Sequence, residues 1–145
     1  SDYAALREEA LKEGCVCHGE YNQHNVFFRR DGTAAANFGH FCFDIQISDL
    51  YCFMRKILEK YSWDVTLARQ MLEKYHQIHP ISRAQWQNLM IRFTYPEKYW
   101  KLANYYFSHN KAWISGKNTE KLTKVIAQKE IWGDFPEKCF GKYPF

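Results

Sequence analysis

The segment Cys17-His18-Gly19-Glu20-Tyr21-Asn22-Gln23-His24-Asn25-Val26, taken together with Asn37-Phe38-Gly39, which begins twelve residues beyond Asn25, carries the pattern from which the fold is read. Glu20 sets a carboxylate two positions after His18, and Asn25 follows His18 by seven. Between the two segments, Val26, Phe27 and Phe28 have strand character. Asp31-Gly32 is a two-residue turn signal, and Ala34 to Asn37 forms the returning strand. Such a hairpin carries Asn37 back toward Asn25, so polar side chains distant in sequence meet at one place. Residues 18–39 concentrate His, Glu, Asn and Gly, and chemistry is expected there.

Helices are expected on both sides of this segment. Residues 2–13 read as a short helix ending at Gly14. Ser48 or a neighbour caps a helix whose apolar positions Leu50, Phe53, Met54, Ile57, Leu58 and Tyr61 make one stripe. Asp64 caps the next helix, with Leu67, Met71, Leu72, Tyr75 and Ile78 inward, and Pro80 stops it. Ser82 and Gln85 form a capping box ahead of Trp86, Leu89, Met90 and Phe93. Pro96 suits the first turn of a helix bearing Tyr99, Trp100, Ala103, Tyr106 and Phe107. Asn118 caps a last one with Leu122, Val125 and Ile126. The aromatic residues Trp86, Trp100, Trp113, Tyr95, Tyr99, Tyr105 and Tyr106 follow helical spacing, so they are expected in the core rather than on a stacking surface. The expected fold is mostly α, of α+β type. It is one domain over residues 1–145, with a short β-hairpin and about five to six helices.

Composition narrows the function classes. In 145 residues, 46% are hydrophobic and 18% aromatic, which excludes a disordered chain. Seven Gly and four Pro exclude collagen-like and low-complexity classes. No run approaches the length of a membrane span, and no secretory signal is present. Ser1 rather than Met opens the chain, as in an expressed or processed piece. Residues 1–94 balance 11 basic against 11 acidic side chains, so the net charge of +4 comes from residues 95–145. With no recognition motif beside it, that excess reads as a solvated helical face and not a nucleic-acid surface. Cys15, Cys17, Cys42, Cys52 and Cys139 are odd in number, which excludes a closed disulfide framework and favours a reducing compartment. Cys15, Cys17 and His18 lack the spacing of a metal site, so buried thiols are expected.

The spacing of Glu20 and Asn25 after His18 is similar to that of a kinase catalytic loop, His-x-Asp-x4-Asn, and Asn37-Phe38-Gly39 is similar to its metal-binding Asp-Phe-Gly. On that pattern Glu20 takes the base position, Asn25 and Asn37 the two metal positions, and His18 a structural place in the loop. Two departures matter. Glu20 keeps the carboxylate but adds a methylene, and Asn37 offers a neutral oxygen where Mg²⁺ prefers an anion. The Gly-rich loop and strand Lys that hold ATP phosphates have no counterpart in the 17 residues before His18.

The same segment resembles aminoglycoside phosphotransferase-like proteins and, more closely, the CotS-type spore coat proteins with their Cys-His-Gly-Asp-Tyr-Asn-x-His-Asn stretch. The resemblance extends through Phe43-Asp44-Ile45-Gln46-Ile47-Ser48-Asp49-Leu50. It continues in Thr94-Tyr95-Pro96-Glu97-Lys98-Tyr99-Trp100-Lys101 and in Lys111-Ala112-Trp113-Ile114, so it covers about Cys17 to Gln128. It implies the C-terminal lobe of a kinase-like fold, without the ATP lobe in this chain, and synthesis in the cytoplasm for the endospore coat. Partners would be other coat proteins, with no nucleic acid or membrane. With Glu20 and Asn37 substituted, the implied role is a catalytically degenerate structural or interaction module with no cofactor. The alternative is a weak small-molecule phosphotransferase using Mg²⁺ and ATP once an N-terminal lobe is supplied. Asp49 is expected to be mostly buried beneath the loop, accepting hydrogen bonds from backbone N–H groups of residues 17–21.

Overall fold

The computed structural model describes residues 3–108 and 116–141. The block Lys111 to Ile114, with Trp113, lies outside the described residues.

The chain opens with helix α1 (Tyr3–Lys12), which gives way at Gly14, a residue at φ +68°. Two small antiparallel strand pairs follow. Strand β1 (Val16–Cys17) pairs with β4 (Cys42–Phe43), while β2 (Val26–Arg29) and β3 (Gly32–Ala35) form the hairpin between them. A 3-10 turn (Phe38–His40) leads from the hairpin into β4. The expected hairpin is present, but its turn is Arg30-Asp31: Gly32 pairs with Arg29 and belongs to the returning strand. The β1–β4 pair was not expected. It is two residues long and leaves no alternation to read, yet it holds both ends of the loop segment together.

From there the chain is helical: α2 (Ile47–Leu58), α3 (Val65–Ile78), α4 (Arg83–Thr94), α5 (Glu97–Ser108), α6 (Gly116–Ala127) and α7 (Lys129–Phe140). With α1 that makes seven helices among the described residues, one or two more than expected. The addition is α7, whose Gly133 and Pro136 argue against a helix by propensity. Tertiary packing overrides that, because α7 inserts the fully buried Phe135, Cys139 and Phe140 against α3 and α4.

Local chemistry fixes the ends of α3 and α4. Asp64 accepts from the Thr66 and Leu67 N–H groups, and Ser82 and Gln85 close a reciprocal capping box. Two expected caps differ. Helix α2 starts at Ile47 without a side-chain cap, and α6 starts at Gly116, which places Asn118 inside it.

The core lies between α2, α3, α4 and α7. Met54, Leu58, Leu72, Leu89, Phe93, Phe135 and Phe140 are essentially solvent-free there. The Phe93 and Phe135 ring centroids are 5.3 Å apart, and Trp63 meets Phe135 edge-on at the same distance. Each such ring withdrawn from water contributes about 2–3 kcal/mol. Several expected core residues lie elsewhere. Tyr61 falls past the end of α2, Ile78 is 87% exposed, and Phe53 and Ile57 are half-buried, whereas Met90, also half-buried, packs against the core. The larger correction concerns α5. Tyr95, Tyr99, Trp100, Tyr105, Tyr106 and Phe107 are all exposed, because α5 packs mainly on α6 and neither helix buries a residue fully. Among the thiols, Cys17 and Cys139 are buried, Cys15 and Cys52 half-buried, and Cys42 exposed. No helix of the described residues is long and apolar enough to cross a membrane.

Candidate functional site

The loop from His18 to Asn25 is irregular, so its backbone groups need partners from outside the strand ladders. Asp49, in the first turn of α2, supplies two. The backbone N–H of His18 donates to Asp49 Oδ2 at 2.5 Å, and that of Gly19 to Oδ1 at 3.1 Å. These are the N–H groups expected to face it. The carboxylate is half-buried rather than mostly buried, because the Gly19 side of the loop is open to solvent.

His18 is buried and braced through its ring. Its Nε2 lies 2.8 Å from the Ala36 carbonyl, and its Nδ1 lies 3.3 Å from the Glu20 N–H. A carbonyl only accepts and an N–H only donates, so Nε2 carries the proton and Nδ1 the lone pair. The imidazole thereby ties the start of the loop to the end of β3. Phe38 packs on it at a ring separation of 4.6 Å. Ala36 escapes sequence reasoning because only its carbonyl is used. Gly19 sits at φ +80°, and a Cβ there would stand 2.0 Å from the His40 carbonyl oxygen. Only glycine fits this close approach.

The polar side chains singled out by spacing are adjacent. Asn37, itself in the left-handed region at φ 65°, donates from Nδ2 to Asn25 Oδ1 at 2.8 Å. Asn25 is buried and donates from its own Nδ2 to the Glu20 carbonyl at 2.9 Å. The Ala36 N–H donates to the Asn25 backbone carbonyl at 3.0 Å, which joins the hairpin to the loop. The Glu20 carboxylate points elsewhere. It is exposed, with Oε1 3.7 Å from His40 Nε2.

As placed, this donor set does not fit Mg²⁺, which takes anionic oxygens in near-octahedral geometry. Asn25 Oδ1 is neutral and already accepts one amide donor. Asn37 presents an N–H where a metal would need an oxygen, and the carboxylate of Glu20 is directed away. The arrangement is a short chain of neutral hydrogen bonds, from Asn37 to Asn25 to the Glu20 carbonyl. No cluster of three or more His, Cys, Asp or Glu among the described residues is placed to hold a metal ion.

One buried charge network escaped sequence reasoning. Arg55 lies within α2 with its Nη1 2.6 Å from Glu59 and its Nε 3.1 Å from Glu97, while Tyr51 donates to Glu97 at 3.0 Å. Burial alone would raise the Glu97 carboxyl, but bonding from Lys101, Arg55 and Tyr51 outweighs it and holds the group below the ordinary carboxylate range. The Arg55/Glu59 spacing of four was the available signal. The reach to Glu97 was not visible in sequence.

The fold is similar to that of a solved structure described as an aminoglycoside phosphotransferase from Alicyclobacillus acidocaldarius subsp. acidocaldarius DSM 446. The TM-score is 0.84 over 95% of this chain, at 17% identity. The chain spans 41% of that structure's length. At such low identity the likeness establishes the kinase-like fold alone. A search of curated proteins found no match. The family model described as "Spore coat putative kinase YutH" matches residues 4–136, nearly the whole sequence, and the chain belongs to that family.

Proposed function

We propose that the chain is the helical C-terminal lobe of a spore coat kinase-like protein whose phosphotransfer site is degenerate, and that it serves the endospore coat as a structural or interaction module. The observation that carries this reading is the hydrogen bond from the Asn37 amide to the Asn25 side-chain oxygen, continued from the Asn25 amide to the Glu20 carbonyl. Phosphoryl transfer depends on positioning and on metal-borne charge neutralisation. In this reading neutral amides stand at the two metal positions, with Asn37 donating to Asn25. The loop frame built by His18, Gly19 and Asp49 is retained, so the polypeptide keeps its shape without needing a cation.

The surface suits an interaction role. Trp100 and Phe107 lie seven residues apart on one side of α5 and are 50% and 80% exposed; Tyr99 and Tyr106 repeat the spacing beside them. Exposed aromatic side chains repeated along one helix suit protein contacts. The partners in this reading are other coat proteins, with neither nucleic acid nor membrane. An ATP-binding N-terminal lobe would belong to the full-length protein.

A second reading, a weak small-molecule phosphotransferase, draws on the exposed carboxylate of Glu20 above an intact loop frame. Titration of the full-length protein with ATP and Mg²⁺ by calorimetry separates the two. The degenerate reading expects no saturable heat. A micromolar dissociation constant would overturn it in favour of the phosphotransferase.

A further inference from the structure

Away from the loop, the end of α2, the start of α5, the end of α6 and the start of α7 enclose a cavity of about 500 Å³. Arg55, which lines it, lies about 9 Å along α2 from Asp49, and none of His18, Glu20, Asn25 or Asn37 lines it. Its walls are aromatic and aliphatic: Trp63 and Trp132, Tyr95 and Tyr99, Val125 and Ile126. The volume falls in the range of about 300–1,000 Å³ typical of small organic ligands. Walls of this kind favour flat rings.

The polar groups around the cavity are mostly committed. Glu97 is held by Tyr51, Arg55 and Lys101, and Glu59 by Arg55 and by Lys98 at 3.2 Å. Gln128 Nε2 donates to the Glu59 carbonyl at 3.3 Å, and the Trp132 indole N–H donates to the Phe93 carbonyl at 3.1 Å. Neither carboxylate remains for a cationic ligand. Three cations, Arg55, Lys98 and Lys101, already share the two acids. Lys129, also lining the cavity, has no ion-pair partner among the described residues. The charge left over is positive.

The geometry points to a binding site for a small organic anion, a flat aromatic body lying between the Trp and Tyr walls with its carboxylate or sulfonate at Lys129. An amine-rich ligand finds no free acid there. This inference is independent of the phosphotransfer site and stands whether or not that site is degenerate.

Calorimetry on the purified protein with 2-naphthoate, and with 2-naphthylmethylammonium as its cationic counterpart, tests it. Saturable heat is expected for the anion, with the cation weaker by about tenfold or more, a difference of about 1.4 kcal/mol. Lys129→Glu, an exposed change that leaves the core untouched, should weaken the anion severalfold and spare the cation. Val125→Trp should fill the cavity and abolish binding, with the melting transition checked in parallel. Absence of heat with the anion, equal affinity for both ions, or indifference of the anion to Lys129→Glu would each overturn the proposal.

Discussion

Removing the Asp49 carboxylate tests how the loop is held. Asp49→Ala leaves two backbone donors without their acceptor, and the two are not equivalent. His18 is buried, so its N–H loses a 2.5 Å charge-assisted bond and gains no water. Such a loss costs about 2–3 kcal/mol. Gly19 is exposed, and water replaces most of its 3.1 Å bond, adding about 0.5 kcal/mol or less. The sum is about 2–3.5 kcal/mol, or roughly 5–12 °C in melting temperature for a chain of this length. Asp49→Asn keeps one acceptor oxygen and should lose about half as much. Urea denaturation followed by circular dichroism measures both variants. A loss under about 1 kcal/mol for Asp49→Ala, or equal losses for Ala and Asn, would refute the reasoning.

Three further outcomes are expected. Asn37→Asp exchanges an amide donor for an anion facing Asn25 Oδ1, so it should lower the melting temperature without metal and make it rise with added Mg²⁺; Glu20→Asp should leave the melt indifferent to Mg²⁺. Gly19→Ala forces a Cβ into the His40 carbonyl at positive φ and should cost about 2–4 kcal/mol in urea melts. Glu97 has its folded carboxyl depressed, so it stabilises above the unfolded value of about 4.3 and loses that contribution as pH falls through the folded value. Glu97→Gln should therefore cost about 1–3 kcal/mol at neutral pH and show a shallower decline than the parent below about pH 5. Stability profiles between pH 7 and pH 3 check this.

Capping chemistry makes α3 and α4 readable from the sequence, because Asp64, Ser82 and Gln85 act within a few residues of themselves. The hairpin is readable for the same local reason, and its turn shifts by one residue only because Gly32 joins the ladder. Long-range causes are not readable. Helix α7 exists because Phe135 and Phe140 fill a core built by other helices, against the propensity of Gly133 and Pro136. The aromatic spacing of α5 is helical, but periodicity does not say whether a partner helix covers the face. Within the site, spacing brings out Glu20, Asn25 and Asn37. It does not reveal that the Glu20 side chain turns outward, or that Asn37 donates to Asn25. The choice between donor and acceptor at an amide depends on neighbours contributed by the fold.

The side-chain amide resonances of Asn25 and Asn37, followed by NMR while Mg²⁺ is added to the full-length protein, test the proposed degeneracy of the site most directly. If the hydrogen bond from Asn37 to Asn25 stands in place of a metal, the shifts of both amides stay constant through millimolar Mg²⁺. Saturable movement of both amides with Mg²⁺ would contradict that, and would return these positions to service as metal ligands.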